Sequence, residues 1–315
     1  MLLGINIGGT KCSVSVGVER GRVTARTEFA TCASAVETLE QLEEEAHALL
    51  ERHENSTHVP DAIGISCGGP LDAVRGVILS PPNLPGWTGV PVVEFFQKRF
   101  GGRAFLQNDA NACALAEWKH GAGHGTSQMI FCTMGTGFGC GLILNGRLYE
   151  GANGNAGELG HVRLSPSGPS GFGKAGSVEG YCGGSGIARL AGMRLSEYQS
   201  GGGKSLLAGM DLLTAKTVAE AAESGDELAR SIYREVGTRL GQALAVAIDF
   251  LNPECIVLGS IFVRCEHLIR PSMEETLQRE ALSPALHACR IKAATLGESI
   301  GDVAALTVAE MGIEQ

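Results

Sequence analysis

The chain opens with an apolar strand that runs directly into a glycine turn, Gly8-Gly9-Thr10-Lys11. Glycines without a Cβ atom let backbone N–H groups approach an anion, and Thr10 and Lys11 add a hydroxyl group and a positive charge. The alternating residues Cys12–Val18 predict a hairpin, whereas the P-loop and the dinucleotide fingerprint both need a helix N-terminus there. The turn is a candidate phosphate loop, with an ordinary tight turn as the alternative.

A second glycine turn of the same kind lies near the middle of the chain. It reads Thr-Met-Gly-Thr-Gly-Phe-Gly over Thr133–Gly139, between the apolar strand Met129–Cys132 and the alternating strand Cys140–Asn145. Two units of strand, glycine turn and strand predict duplicated halves around a cleft. This arrangement resembles that of sugar kinases of the actin-like ATPase superfamily, and the resemblance implies that one loop from each half contacts the phosphates of a nucleotide, the second through Gly135, Thr136 and Gly137.

A carboxylate follows the predicted strand Ala104–Gln107, in the run Asn108-Asp109-Ala110-Asn111, which opens an alanine-rich helix. Side chains at the carboxyl ends of strands often face a ligand. Transfer of a phosphoryl group needs in-line positioning and a group that accepts the proton of the attacking hydroxyl. Asp109 is the candidate base, and its alternative role is that of a helix N-cap.

Composition limits the class of protein. With 315 residues, 44% hydrophobic and 19% charged, the chain is long enough for two globular domains and has no apolar run that could span a bilayer. The N-terminus has neither a basic region nor a cleavage site, which predicts a cytoplasmic protein. A net charge of −9 without a cluster of Lys and Arg argues against nucleic-acid binding. The ten scattered cysteines predict buried thiols.

Strands and helices alternate along the chain, which is typical of an α/β fold. The glycine-rich stretch Gly151–Gly186 has little periodicity and is predicted to be an active-site loop region. A polar, histidine-bearing loop precedes the predicted strand Ala62–Cys67. The other predicted elements are helices at Ala35–Arg52, Pro91–Phe100, Thr214–Ala222, Asp226–Leu251 and Gly301–Met311, and buried strands at Leu2–Ile7, Ala62–Cys67 and Cys255–Leu258.

Several motifs together resemble the ROK family (repressor, open reading frame, kinase), whose enzymes are ATP-dependent sugar kinases. The resemblance runs nearly end to end and rests on Gly8–Lys11, Pro82–Trp87, Asn108–Ala112, Gly135–Gly139, Gly157–Val162 and Val178-Glu179. It implies a two-domain actin-like ATPase (ribonuclease H-like) fold with a cleft between the domains. The domains would comprise residues 1–119, with a terminal helix at 300–315 packing back on them, and residues 120–299.

The resemblance also implies roles for individual residues. Asp109 would be the general base, and Asn108 would hydrogen-bond the same sugar with both faces of its amide. Glu158, His161 and Glu179 would complete the sugar site, with further contacts from Gly69 and Asn83. ATP, accompanied by Mg²⁺, would bind at Gly8, Gly9, Thr10, Lys11, Gly135, Thr136 and Gly137, with Gly259 near the adenosine.

The chain departs from the family pattern at a zinc motif. Family members commonly carry Cys-x-Cys-Gly-x-x-Gly-Cys just before the sugar-binding glutamate, and its three cysteines bind zinc together with the histidine that corresponds to His161. Here those three positions are Ser170, Phe172 and Ser177. We therefore expect no structural zinc, which leaves His161 available to the sugar.

The second departure is Asn6, where the family usually has an aspartate near the Mg²⁺ that accompanies ATP. It motivates one alternative to a kinase, a sugar-binding sensor without useful turnover. A sugar-responsive repressor is the other alternative, and it is disfavoured because the first strand begins at Leu2 and leaves no room for a helix-turn-helix segment. The loop Asn83–Trp87 favours glucose over an N-acetylhexosamine, and the family often forms dimers or tetramers.

Overall fold

The computed structural model describes residues 1–18, 21–52 and 59–314. Residues 53–58, in the polar loop predicted before Ala62, lie outside the described residues. The chain divides into two compact units. Unit 1 comprises Met1–Gly125, Leu148–Gly154 and Thr295–Gln315, and unit 2 comprises Thr126–Arg147 and Asn155–Ala294. The short stretch Leu148–Gly154 therefore belongs to unit 1 although unit 2 precedes and follows it in the sequence.

Strands and helices have the following bounds. The strands are β1 (Leu2–Ile7), β2 (Lys11–Val18), β3 (Arg22–Ala30), β4 (Ala62–Cys67), β5 (Leu71–Asp72), β6 (Val77–Ile78), β7 (Arg103–Asn108), β8 (Met129–Met134), β9 (Phe138–Leu144), β10 (Arg147–Leu148), β11 (Ser170–Gly171), β12 (Lys174–Ala175), β13 (Cys255–Ser260) and β14 (Arg290–Ala293). The α-helices are α1 (Ala35–Arg52), α2 (Val92–Phe100), α3 (Asp109–His120), α4 (Val178–Cys182), α5 (Gly184–Ser200), α6 (Ala215–Glu223), α7 (Glu227–Leu251), α8 (Ile261–Glu280), α9 (Ser283–Ala288) and α10 (Ile300–Glu314).

Unit 1 contains a five-stranded sheet in the order β3-β2-β1-β4-β7. The strands β1, β2 and β3 are antiparallel neighbours, whereas β4 and β7 run parallel to β1. Alternate residues of β1 point to the same face, and Leu3, Ile5 and Ile7 are buried there in a core that includes Leu42 of α1 and Phe96 of α2.

The other face of the unit 1 sheet is covered by α10, which approaches the strands closely because glycines line that face. A Cβ atom on Gly4 would lie 2.5 Å from the hydroxyl of Ser15 and 3.2 Å from the side chain of Ala305, and a Cβ atom on Gly64 would overlap the carbonyl oxygen of Ala305. This backbone contact fixes the depth at which α10 packs on the sheet.

Unit 2 contains a second five-stranded sheet, in the order β10-β9-β8-β13-β14. Its strands β8 and β9 are antiparallel, and β13 runs parallel to both β8 and β14. The buried side chains of Tyr233 on α7 and Phe262 on α8 belong to the core of this unit. Each unit thus has a strand, a glycine turn, an antiparallel strand and a parallel neighbour of the first strand.

The structure confirms the predicted α/β class and most elements, and α1 and β4 have the predicted bounds. The prediction that Gly151–Gly186 is loop throughout is wrong at its C-terminal end, where α4 lies and α5 begins. The glycines there allow close packing and not only turns, since a Cβ atom on Gly186 would lie 2.5 Å from the carbonyl oxygen of Glu179. The long helices α5 and α8 had no counterpart among the predicted elements.

All ten cysteines are free thiols and most are buried, as the sequence predicted. Within the described ranges, the structure shows no helix that is both long enough and apolar enough to cross a membrane.

We expect Gly64→Ala to lower the free energy of unfolding by about 2 kcal/mol, because the added methyl group must push α10 away from β4. The measurement is chemical denaturation followed by circular dichroism. Gly192→Ala is the matched control, since a Cβ atom on Gly192 has no neighbour within 4 Å and alanine favours the helix that contains this residue. Equal stability of the two variants would contradict the packing described for α10.

Candidate active site

In unit 1, the register of three parallel strands brings the predicted site residues to one edge of the sheet. Ile7, Cys67 and Asn108 are direct neighbours across β1, β4 and β7, and each stands at the carboxyl end of its strand. Each of these residues is followed in the chain by part of the candidate site: Ile7 by the first glycine turn, Cys67 by Gly68-Gly69, and Asn108 by Asp109. Residues that are up to about a hundred positions apart in sequence therefore emerge side by side.

The first glycine turn is held by backbone contacts. The N–H of Gly8 donates to the carbonyl oxygen of Lys11 at 3.1 Å, and the hydroxyl of Thr31 donates to the carbonyl oxygen of Gly8 at 2.7 Å. A Cβ atom on Gly9 would overlap the carbonyl oxygen of Asn83 and lie 2.8 Å from its Cβ atom. The turn thus lies directly against the loop that contains Asn83, which places two predicted ligand-binding segments in contact.

Lys11 does not stand alone at this turn. Its Nζ atom lies 2.9 Å from Oε2 of Glu28, and the same oxygen accepts a hydrogen bond from Arg26 at 2.7 Å. The hydrogen bonds from Lys11 and Arg26 lower the pKa of the Glu28 carboxyl. Because all three groups are exposed at least in part, water and salt screen this cluster, so a bound phosphate can compete with Glu28 for Lys11.

The N-cap of α3 is Asn108 and not Asp109. Its Oδ1 atom accepts hydrogen bonds from the N–H groups of Ala110 at 3.0 Å and Asn111 at 3.4 Å. The amide nitrogen of Asn108 lies on the side of Gly69, 3.3 Å from where a Cβ atom of that glycine would be. Since the carbonyl oxygen is engaged in the cap, the amide nitrogen is the part of Asn108 best placed to bind a ligand.

Asp109 is the first residue of α3, and its Oδ1 atom accepts the N–H of Ala110 at 2.8 Å. Asp109 is an exposed residue, yet the protein atoms around its carboxyl group remove part of the hydration of that group. This desolvation raises the pKa of Asp109, and hydrogen bonds from the backbone N–H groups of Ala110 and of Asp109 itself offset part of the increase. A carboxylate with a raised pKa is a stronger base, as proton abstraction requires.

Asn6 lies on the α10 side of the sheet, where it is the cross-strand neighbour of Ser13. Its Nδ2 atom is 2.8 Å from the position that a Cβ atom of Gly301 would occupy, near the start of α10. Asp302, the next residue of α10, is engaged separately, with Oδ1 accepting the hydroxyl of Ser13 at 2.7 Å. The amide at position 6 is therefore packed against the N-terminus of a helix.

In unit 2, the register of β8 and β9 leaves Gly135, Thr136 and Gly137 as the turn between them. The carbonyl oxygens of Gly135 and Thr136 accept the N–H groups of Gly184 at 2.8 Å and Ser185 at 3.1 Å, so the start of α5 holds the turn. Ser260, which follows Gly259, is the cross-strand neighbour of Met134. Gly259 is therefore brought to the edge of the sheet where the second glycine turn lies.

Glu179, in the first turn of α4, is bonded to the second glycine turn. Its Oε2 atom accepts the N–H of Phe138 at 3.0 Å, and a Cβ atom on Gly137 would lie 2.5 Å from the same oxygen. A side chain at position 137 would therefore have to move this carboxylate. A carboxylate has lone pairs on both oxygens, so Glu179 can hold the turn and still accept a hydrogen bond from a ligand.

Glu158 and His161 are exposed residues at the two ends of a short turn of 3₁₀ helix, Leu159–His161, with Glu158 just before it. This turn packs against β9, because a Cβ atom on Gly157 would lie 2.5 Å from the carbonyl oxygen of Cys140. The ring of His161 meets the ring of Phe172 edge-on at 6.2 Å between centroids. The structure thus brings the predicted site residues of unit 2 into the neighbourhood of β9.

The segment that contains Ser170, Phe172 and Ser177 includes a small hairpin. The strands β11 and β12 pair, and Phe172, with a φ of 42°, forms the turn. The hydroxyl of Ser177 donates to the carbonyl oxygen of Lys174 at 3.0 Å and accepts the N–H of Gly180 at 3.1 Å, which caps α4. In the part of the chain that the structure describes, no group of three or more His, Cys, Asp or Glu side chains could hold a metal ion.

Sequence reasoning missed three polar residues that contact the predicted site. Glu28 pairs with Lys11, and Gln107 and Glu150 form a hydrogen-bonded pair next to Asn108. The only signal for Gln107 was its position directly before Asn108 at the end of a strand. Glu28 and Glu150 had no local signal, because their partners are distant in the sequence.

Comparison with known proteins gives consistent results. A family model described as the ROK family matches residues 2–311. The glucokinase of Thermotoga maritima is 30% identical over 310 residues, which cover 98% of this chain and 96% of that protein. The DNA-binding transcriptional dual regulator NagC of Escherichia coli is 28% identical over 291 residues, which cover 89% of this chain and 68% of the regulator.

A solved structure also matches over nearly the whole length. It is that of a ROK family glucokinase from Streptomyces griseus in complex with glucose and AMPPNP, with a TM-score of 0.81 at 31% identity and coverage of 99% of each chain. This likeness confirms the predicted actin-like class of fold.

The raised pKa of Asp109 predicts a pH-dependent cost to stability. A carboxyl whose pKa is higher in the folded protein than in the unfolded chain destabilises the fold once it ionises, so the cost is present at neutral pH and disappears in acid. We expect Asp109→Asn to unfold at a higher temperature than the parent at pH 7, with the difference shrinking towards about pH 4, near the unfolded pKa of Asp. Thermal scans across this range test it.

The control is Asp211→Asn, which removes a carboxylate from an exposed position of unit 2. An Asp109→Asn variant that is less stable than the parent at neutral pH, after correction by this control, would contradict the desolvation of Asp109.

Proposed function

The chain belongs to the ROK family, and from this premise we propose that it transfers the γ-phosphoryl group of ATP to a hydroxyl group of a hexose or N-acetylhexosamine, as a glucokinase-like sugar kinase. The observation that carries the proposal is the common edge of β1, β4 and β7. There a glycine turn with Thr10 and Lys11 lies beside a carboxylate, Asp109, whose pKa is raised. These are the two parts that phosphoryl transfer requires.

Each glycine turn, taken by itself, has groups that suit a nucleotide. The N–H groups of the first turn, the hydroxyl of Thr10 and the ammonium group of Lys11 would bind phosphate oxygens, and Lys11 would exchange Glu28 for them. In unit 2, a Cβ atom on Gly135 would have only one neighbour within 4 Å, at 3.8 Å, so the backbone there is open to a ligand. Gly259 would contact the adenosine. Mg²⁺ would be held by the phosphates, with Asn6 and Asp109 supplying oxygen atoms.

The reaction needs one proton transfer. Asp109 accepts the proton of the sugar hydroxyl while the oxygen of that hydroxyl attacks the γ-phosphorus of ATP. The bond between the γ-phosphorus and the oxygen that bridges it to the β-phosphorus breaks, and ADP leaves. The bond from the N–H of Ala110 fixes the carboxylate at the start of α3. The positive end of the helix dipole stabilises the ionised form, and desolvation makes it a stronger base.

Each unit contains polar groups that could bind the hydroxyl groups of a sugar. In unit 1, the amide nitrogen of Asn108 would donate to a hydroxyl, with Gly69 and Asn83 beside it. In unit 2, the carboxylates of Glu158 and Glu179 and the imidazole of His161 are the candidate acceptors and donors. The glucose bound by the Streptomyces griseus glucokinase makes glucose the first sugar to test.

A second candidate function is a sugar-binding sensor with little turnover. Two observations favour it: the amide of Asn6 is a poor ligand for Mg²⁺, and the regulator NagC is similar over most of this chain. The site would then bind the sugar without transferring phosphate. Under either function the protein would bind a small sugar in the cytoplasm, as a homodimer or homotetramer.

Asp109→Ala is expected to lower kcat by about a hundredfold or more, because the variant lacks the general base. The assay is ADP release with MgATP against glucose, fructose, mannose, allose, N-acetylglucosamine and N-acetylmannosamine. Asp211→Ala, at an exposed site in unit 2, is the control and should keep the parental rate. A kcat of Asp109→Ala within threefold of the parent would rule out the role of Asp109 as base.

Asn6→Asp separates the two candidate functions. The variant would place a carboxylate near the N-terminus of α10, a favourable position for negative charge, and would offer Mg²⁺ a better ligand. We expect a kinase parent to gain activity at limiting Mg²⁺. A parent that binds sugar in calorimetry but turns over only after Asn6→Asp would favour the sensor. Asn145→Asp is the control, because its Oδ1 atom only accepts a hydrogen bond, from Gln128.

A further inference from the structure

Gln107 is nearly buried, with 9% of its surface exposed, and it stands one residue before the end of β7. Both ends of its amide are engaged. The Oε1 atom accepts the backbone N–H of Asn108 at 2.8 Å and the Nδ2 atom of Asn111 at 3.2 Å, and the Nε2 atom donates to Oε1 of Glu150 at 3.1 Å. Two donors on one side and a carboxylate on the other determine the orientation of this amide.

The two groups that Gln107 accepts from stand on either side of Asp109 in the chain. Asn108 precedes Asp109 and caps α3, and Asn111, only 2% exposed, lies in the first turn of that helix. The side-chain carbonyl group of Gln107 therefore holds the backbone N–H of Asn108, before Asp109, and the buried side chain of Asn111, after it. A shift of this carbonyl group would move the point at which α3 begins.

Glu150 connects Gln107 to a different part of the chain. It belongs to Leu148–Gly154, the stretch of unit 1 that unit 2 precedes and follows in the sequence. Eight residues further on lies Glu158, one of the residues proposed to bind the sugar. The hydrogen bond between Gln107 and Glu150 therefore ties the start of α3 to the stretch Leu148–Gly154 within unit 1.

We propose that Gln107 is a positioning residue for Asp109 and that Glu150 holds Gln107 in place. This inference rests on the proposed kinase function and adds two residues to it, neither of which touches the reacting atoms. The amide group of Gln107 keeps the carboxylate of Asp109 at the angle and distance that proton abstraction needs. Loss of the orientation should slow the chemical step more than it weakens binding of either substrate.

The pair permits an exchange experiment. Gln107→Glu places two carboxylates next to each other, because Glu150 faces the new side chain. Glu150→Gln alone should be mild, since its side-chain oxygen can still accept from Gln107. The double variant Gln107→Glu with Glu150→Gln restores every hydrogen bond, because Glu at 107 can accept from Asn108 and Asn111 and also from the amide nitrogen of Gln at 150.

We expect Gln107→Glu to lower kcat by about thirtyfold or more with the KM values for sugar and ATP within about threefold of the parent, as misplacement of a reacting group predicts. The double variant should recover kcat to within about fivefold of the parent, and Glu150→Gln should stay within about threefold. Thermal midpoints of all variants are recorded beside the kinetics. Glu150→Ala, at a partly exposed position, is a second variant that removes the partner of the Gln107 amide nitrogen, and it should lower kcat in the same selective way.

The outcomes distinguish this inference from the proposed function. A parent without sugar-dependent ADP release would overturn both. A parent with turnover whose Gln107→Glu and Glu150→Ala variants keep the parental kcat would overturn the positioning role alone. A rise in KM without loss of kcat, or a double variant as slow as Gln107→Glu, would also overturn it. Selective loss of kcat with recovery in the double variant would support it.

Discussion

The capping of α3 by the side chain of Asn108 is the interaction on which the candidate site depends. At this cap, β7 ends and α3 begins. Because Ile7, Cys67 and Asn108 are in register, β1 and β4 end at the same edge of the sheet. Asp109 is consequently the first helical residue, beside N–H groups that stabilise its ionised form. The cap also engages the side-chain oxygen of Asn108, which leaves its amide nitrogen as the group available to another partner.

The two glycine turns are held by different groups, although their sequences are alike. The first turn lies against the backbone of Asn83 and accepts the hydroxyl of Thr31. The second is held from the start of α5 and by the carboxylate of Glu179. At Gly9 and Gly137, another group occupies the space of a Cβ atom. A side chain at position 9 would therefore displace the backbone of the loop that contains Asn83, and one at position 137 would displace the carboxylate of Glu179.

The hairpin around Phe172 shows how a loop without the zinc cysteines can be ordered. Ser177, at one of the three positions where the zinc motif has cysteine, caps α4 and donates a hydrogen bond to the backbone carbonyl oxygen of Lys174. The Nζ atom of Lys174 donates in turn to the backbone carbonyl oxygen of His161 at 2.8 Å. Phe172, at a second position, meets the His161 ring. Hydrogen bonds and a ring contact thus connect the segment to the residues proposed to bind sugar. These contacts are weaker individually than metal ligation, so their sum must order the loop.

The sequence by itself determined the features that depend on neighbouring residues: both glycine turns, the bounds of α1 and β4, and the placement of Asp109 at the junction of a strand and a helix. These follow from periodicity and turn chemistry within about twenty residues. The tertiary structure decided that Asn108 and not Asp109 is the cap, that glycines near Gly186 allow helix packing, and that Gln107 bonds Glu150 across 43 residues. Such contacts depend on strand register and on the packing depth of helices, which no local pattern encodes.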